Sequence, residues 1–192
     1  MEAQVVSLKQ AGKNAQDAIS FLQTADGALS QSTDIVQKMR ELVIKAQNTG
    51  TMTDNERSAI TKELTSLRDE LDRISNTTTF NTKKILDGSL ANEPATFHVG
   101  ASTNSADSIN VYIADMSSKG LSADGKTELS IDISSQDAMK ETLQGLDDAL
   151  SKITKQRTDL GVTENRLDYT IKNLNTTTTN LEAAKSRITD VD

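Results

Sequence analysis

Residues 139–188 read MKETLQG LDDALSK ITKQRTD LGVTENR LDYTIKN LNTTTTN LEAAKSR I, a run of heptads each opened by an apolar side chain. Met139, Leu146, Ile153, Leu160, Leu167, Leu174, Leu181 and Ile188 recur every seven residues, a spacing that puts them on one face of a helix. The positions four residues after each are mixed. Leu143, Leu150 and Ile171 are apolar, whereas Arg157, Glu164, Thr178 and Lys185 are polar. The pattern is a seam with one strict row and one interrupted row. Ser134 and Ser135 are suitable N-caps for it, and a helix over 136–190 would be about 80 Å long. Gly161 weakens that helix by only about 1 kcal/mol relative to alanine.

The first third of the chain mirrors the last. Leu8, Ala15, Leu22, Leu29, Val36 and Val43 repeat at seven, and three residues after each come Ala11, Ala18, Ala25, Ser32, Met39 and Ala46. Small side chains in the second row let two helix backbones approach closely. Asn48-Thr49-Gly50 supplies a stop. Thr53 and Glu56 then have capping-box spacing, opening a helix with Ile60, Leu64, Leu67, Leu71 and Ile74 on one face. The pairs Glu41/Lys45, Asp69/Arg73 and Asp148/Lys152 stand four apart in the favourable order, each worth a few tenths of a kcal/mol.

Between about 76 and 135 the period shortens to two. Ile109, Val111 and Ile113 alternate with polar neighbours, as do Leu129, Ile131 and Ile133, and both runs read as strands. Ala95–Val99 is a third candidate, with turns at Leu86-Asp87-Gly88 and Asp124-Gly125. The expected fold is mainly α, an elongated rod-like bundle of long antiparallel helices with a small β-rich region between the second and last helix. We expect a single rod domain over 1–192: an N-terminal helical half over 1–90, a β-rich insert over 91–135 and the C-terminal long helix over 136–192.

Composition agrees with a thin bundle. Of 192 residues 35% are hydrophobic but only 3% aromatic, with three Phe, two Tyr and no Trp, so Ala, Leu, Ile and Val must fill the core. Pro94 is the one proline, which leaves long helices uninterrupted. The 21 basic and 28 acidic side chains are interspersed, giving a net charge of -7. Without a basic stripe, nucleic acid is not an expected partner. No apolar run approaches the roughly 18–20 residues that span a bilayer, and the start, Met1-Glu2-Ala3-Gln4, is no classical secretory signal.

Catalytic and metal chemistry finds no foothold in the sequence. Cysteine is absent and His98 is the single histidine, which rules out thiolate nucleophiles and two-histidine zinc motifs. His98 falls in the candidate strand Phe97-His98-Val99 and reads as an ordinary half-exposed histidine. No phosphate-binding glycine loop occurs, and Asp190 with Asp192 lacks a calcium-loop pattern. We expect no enzyme activity and no cofactor. Arg157, Glu164 and Lys185 carry more information. They either lie at the rim of the seam with their stems buried, or set register and meet neighbouring molecules.

Asn14-Ala15-Gln16-Asp17, Gln23-Thr24-Ala25-Asp26-Gly27-Ala28-Leu29 and Arg40-Glu41-Leu42 are similar, in order, to the N-terminal conserved region of the bacterial flagellin family. Thr79-Phe80-Asn81-Thr82-Lys83-Lys84-Ile85-Leu86-Asp87-Gly88 resembles its FNG-x-K-LLDG segment, with Thr82 where glycine is usual. Leu160-Gly161, Asn165-Arg166-Leu167, Asn180-Leu181 and Ala183-Ala184-Lys185-Ser186-Arg187-Ile188 resemble the C-terminal conserved region. The similarity takes in roughly 4–90 and 138–192.

The resemblance implies a D1 core segment, lacking the terminal D0 segments, of an extracellular filament subunit that supports motility. Its implied partners are copies of itself, the flagellar export machinery with its chaperones, and an animal Toll-like receptor. The receptor-contacting stretch of the family maps here onto Gln37, Lys38, Arg40, Glu41, Leu42 and Glu63, with Lys38 where arginine is typical. Lysine cannot offer arginine's planar fork, and Leu42, next to the seam residue Val43, is equally a core candidate. A hook–filament junction protein of the same extended family is the nearest alternative. A signalling coiled coil is a more distant one, since it accounts poorly for the β-rich insert.

Overall fold

Helix-forming residues free of internal proline dominate both ends of the chain, and both ends fold as single long helices. The computed structural model describes residues 2–189, and Asp190 and Asp192 lie outside them. Helix α1 spans Glu2–Ala46, α2 spans Asp54–Thr77 and α4 spans Gln136–Thr189. Between α2 and α4 lie the short strands β1 (Thr79–Phe80), β2 (Lys83–Lys84), β3 (Ala95–His98) and β4 (Ser108–Val111), then a one-turn helix α3 (Ser118–Leu121). The fold is mainly α with two small antiparallel sheets, β1 with β2 and β3 with β4.

The helix boundaries follow the sequence signals. Thr53 Oγ1 accepts from the Glu56 N–H at 3.2 Å while the Glu56 carboxylate accepts from the Thr53 N–H at 2.8 Å, a complete capping box. Ser135 Oγ accepts from the Ala138 N–H at 3.1 Å and caps α4. At the β1–β2 turn, Asn81 and Thr82 have φ of 50° and 67°. Two positive φ values between directly paired strand ends make a type I′ hairpin. Thr82 therefore occupies a backbone region that suits glycine and strains a β-branched residue.

The described residues divide into two compact units, and each long helix contributes to both. The first comprises residues 2–24, 94–112 and 159–189. Ala11, Ala15, Ala18 and Leu22 of α1 and Leu160, Leu167 and Leu174 of α4 are buried there, together with Val99, Ile109 and Val111. The β3–β4 hairpin, with Phe97 opposite Ile109, is fastened to α1. Phe21 and Phe97 meet with ring centroids 5.3 Å apart, and Asn14 donates to the His98 carbonyl at 2.9 Å.

The second unit, residues 25–93 and 113–158, has a thicker core. Leu29, Val36, Met39 and Val43 of α1, Ile60, Leu64, Leu71 and Ile74 of α2, and Met139, Leu146 and Ile153 of α4 are buried in it. Ile85, Leu86, Ile113, Leu121 and Leu129 complete that core. Helix α3 is tied down at both ends. Asp72 accepts from the Ser118 N–H at 2.8 Å, and Lys152 Nζ donates to the Gly120 and Ser122 carbonyls.

Four expectations are corrected. The alternating run Leu129–Ile133 is not a strand. Leu129 and Ile133 are buried as the alternation requires, but side chains replace the ladder. Arg68 donates to the Leu129 carbonyl at 3.1 Å, Arg57 to the Ile133 carbonyl at 2.9 Å and Thr142 to the Asp132 carbonyl at 2.9 Å. Likewise β4 stops at Val111, and the Ile113 N–H turns to the Leu90 carbonyl.

The second row of the α4 seam is three residues after the strict one rather than four. Thr142, Ala149 and Gln156 are buried, whereas Leu143, Leu150 and Arg157 are half-buried. Finally, the three pairs expected four apart form differently. Glu41 meets Lys38 and Arg73 meets Glu70 three apart, while Asp148 accepts from Gln144.

Candidate functional site

Chemistry-bearing groups are scattered over surfaces rather than gathered in a pocket. Among the described residues no cluster of three or more His, Asp or Glu side chains is placed to hold a metal ion, and no helix is long and apolar enough to cross a membrane. His98 is exposed in β3, its Nδ1 3.3 Å from Ser108 Oγ across the hairpin. Asp107 nearby accepts from both the hydroxyl and the N–H of Ser102, which hold its carboxyl below the usual carboxylate range, with His98 adding a smaller effect.

Three of the polar members of the α4 seam find partners on α1. Arg157 pairs with Asp26 at 2.7 Å, Glu164 accepts from Gln23 at 2.9 Å and Lys185 reaches Glu2 at 3.3 Å. Arg40–Asp147 at 2.8 Å and Lys9–Glu182 at 2.6 Å extend the series. Contacts joining low numbers on α1 to high numbers on α4 in steady descent identify an antiparallel pair. All three side chains are half-buried at the rim of the seam, and their contacts lie within the molecule.

The candidate receptor-contacting residues lie in the second unit. Gln37, Lys38, Glu41 and Glu63 are exposed, with Lys38 Nζ 3.7 Å from Glu41. Arg40 is half-buried and held by Asp147. Leu42 is only 6% exposed and belongs to the core.

A different surface escaped the sequence reading. On α4, Val162 and Tyr169 are 56% and 73% exposed, seven residues apart and off the buried row. Beside them an open groove of about 430 Å³ is lined by Leu8, Val99, Gly100, Ala106, Arg166, Tyr169 and Leu174. Lys172 Nζ lies 5.6 Å from the Tyr169 ring centroid. The seven-residue spacing of Val162 and Tyr169 was the available signal, masked by the stronger row beside it.

The bacterial flagellin N-terminal helical region matches residues 1–91, and the bacterial flagellin C-terminal helical region matches 143–192. The flagellin of Bacillus subtilis (strain 168) is 39% identical in an alignment that takes in all of this chain and 71% of that protein. The chain belongs to the flagellin family.

Other flagellins and their kin agree. The flagellar filament 33 kDa core protein of Treponema phagedenis is 37% identical over all of this chain and 69% of its own length. The crystal structure of Bacillus cereus flagellin superposes with a TM-score of 0.70 at 28% identity, covering 90% of this chain and 94% of that one. A putative flagellar hook-associated protein from Vibrio parahaemolyticus shares the fold, with a TM-score of 0.80 at 16% identity over 97% of this chain and 93% of that one. Flagellins are structural proteins, and this chain is a structural protein rather than an enzyme.

Proposed function

We propose that this flagellin is a structural subunit of the bacterial flagellar filament and supports motility by polymerising side by side with its own copies. The observation that carries this reading is the match to flagellin at both ends of the chain, on the two helices whose polar contacts lock them antiparallel. A stiff helix pair with charged outer faces is suited to repeated heterologous contacts, which produce open helical polymers. The hook-associated alternative is favoured by a shared fold at low identity. The 39% relative bears the name flagellin, and that favours the filament.

The same reading places the subunit outside the cell, delivered by the flagellar export machinery and its chaperones, and working as a single D1-like domain. Recognition by an animal Toll-like receptor would fall on exposed Gln37, Lys38, Glu41 and Glu63, with Arg40 and Leu42 supporting them from beneath. The test is assembly. This chain, alone and extended by flagellin terminal segments, is salted out and viewed by negative-stain microscopy. Filaments from the extended protein are expected, and a protein that only caps or joins preformed filaments would overturn the reading.

A further inference from the structure

Three aspartates in this chain precede glycine: Asp26-Gly27, Asp87-Gly88 and Asp124-Gly125. Such a pair carries latent chemistry, because a glycine nitrogen, unshielded by a side chain, can reach the aspartate carboxyl. The nitrogen bonds to Cγ and gives up its proton, and the carboxyl hydroxyl leaves with that proton as water. Water then opens the resulting succinimide at either carbonyl, returning aspartate or giving isoaspartate. Ring closure needs a backbone free to rotate and a protonated carboxyl, since the hydroxyl is the leaving group.

The fold withholds that freedom from two of the three pairs. Asp26 and Gly27 lie inside α1, and Arg157 grips the Asp26 carboxylate. Asp87 is bridged to Asp115, and a Cβ at Gly88 would lie 2.9 Å from the Asp115 Cβ. Asp124 and Gly125 differ. Both are exposed and outside any helix or strand, and open space surrounds Gly125 at its positive φ of 62°. Four donors on one carboxylate restrain this pair instead. Oδ1 of Asp124 accepts from the Ser122 hydroxyl at 2.8 Å, the Lys126 N–H at 2.9 Å and the Thr127 N–H at 3.0 Å, and Oδ2 accepts from the Thr127 hydroxyl at 2.9 Å. The N–H groups of Thr127 and Lys126, then the two hydroxyls, hold the carboxyl far below the usual carboxylate range.

We propose that Asp124-Gly125 is the isoaspartate-forming site of this chain, and that the Ser122 and Thr127 hydroxyls govern how fast the product forms. The co-reactant is water alone. The clamp acts in two ways. It keeps the carboxyl ionised, without a hydroxyl to expel, and it keeps that group on the Lys126 and Thr127 nitrogens while the Gly125 N–H donates to the Ser122 carbonyl at 3.3 Å. Conversion lengthens the main chain by one methylene, two residues after the Ser122 carbonyl that Lys152 holds. The inference stands apart from the filament reading.

The experiment ages the whole chain in neutral buffer and reads isoaspartate with an isoaspartyl methyltransferase and methyl-labelled S-adenosylmethionine, the label being assigned by peptide mass spectrometry. The peptide containing Asp124 should take up label before those containing Asp26 or Asp87. Equal or earlier labelling at either of those pairs overturns the site assignment. In urea, with clamp and helix both gone, the three pairs should label at similar rates. A preference for Asp124 that persists there overturns the fold as its cause. Thr127→Val, exposed and similar in shape, should speed labelling at Asp124 severalfold. Adding Ser122→Ala should raise the gain to as much as about tenfold, the increase in protonated fraction when a carboxyl pKa rises by one unit. Melting followed by circular dichroism checks that both variants fold, and Thr127→Val alone decides if the nearly buried Ser122 proves necessary for folding. A labelling rate in Thr127→Val equal to that of the unsubstituted chain overturns the clamp.

Discussion

Arg157 and Asp26, far apart in sequence, meet in a two-point contact, with Nε donating to Oδ1 at 2.7 Å and Nη2 to Oδ2 at 3.3 Å. The planar guanidinium matches the carboxylate fork, so the contact fixes both the separation and the axial register of α1 against α4. The Arg157 and Asp26 side chains keep 35% and 42% of their surface in water, which screens the pair. Replacing Arg157 by Ala should cost about 0.5–1 kcal/mol. A double-mutant cycle with Asp26→Asn, read by urea unfolding, should return a coupling of about 0.5 kcal/mol.

The strict seam row carries far more. Leu146 is fully buried between helices, and Leu146→Ala should destabilise the chain by about 3 kcal/mol through lost burial and the cavity left behind. Ile188, by contrast, continues the same heptad row but is 64% exposed. Ile188→Ala should move the unfolding midpoint little.

Thr82 holds φ of 67° in the β1–β2 turn, where an L side chain costs about 1–2 kcal/mol. Thr82→Gly relieves that strain while loosening the unfolded chain. The net expectation is a stabilisation of about 1 kcal/mol, seen as a higher melting temperature by circular dichroism. A lower melting temperature would show that the Thr82 side chain makes a compensating contact.

Gly120 is constrained by space. A Cβ there would lie 2.1 Å from the Asp115 carbonyl oxygen, a backbone atom that cannot swing aside. Gly120→Ala should therefore cost more than about 2 kcal/mol and detach α3 from Lys152, visible as faster hydrogen exchange over 118–122.

Acid should weaken the fold. Hydrogen bonds from Thr53 lower the Glu56 carboxyl, those from Arg73 lower Glu70, those from Ser89 lower Asp87 and those from Ser134 lower Asp132. A carboxylate with a depressed folded pKa contributes stability above its unfolded value, near 4, and loses it as pH falls through the folded value. Urea midpoints should thus be flat from pH 7 to about 5 and decline below about 4. Glu56→Gln should flatten part of that decline, and an unchanged slope would remove Glu56 from the account.

Most of the architecture was readable because heptads and caps are local signals. The strict rows on both long helices, the Thr53–Glu56 box and the Ser135 cap all follow from short-range spacing. The errors share one cause. Alternation at Leu129, Ile131 and Ile133 reports which side chains are buried, and says nothing of whether a second strand or an arginine serves the carbonyls. Thr142 and Gln156 sit in the seam although polar, since Thr142 bonds the Asp132 carbonyl and Gln156 Oε1 accepts from the Ala114 N–H at 3.1 Å. Hydrophobic patterning passes over them for Leu143 and Leu150. The exposed Tyr169 face was harder still, because an exposed side chain leaves no burial to infer.

The segment before α4, with its carbonyls clasped by arginines in place of a strand, joins the last helix to everything upstream through an exposed loop at 123–128. A cut in that loop would separate α4 covalently from the rest of the chain. Because α4 is held to α1 by buried leucines and five polar contacts and needs no continuous backbone for them, the two pieces should stay together after the cut. The fold is thus separable into complementary fragments that can find each other when supplied as two polypeptides.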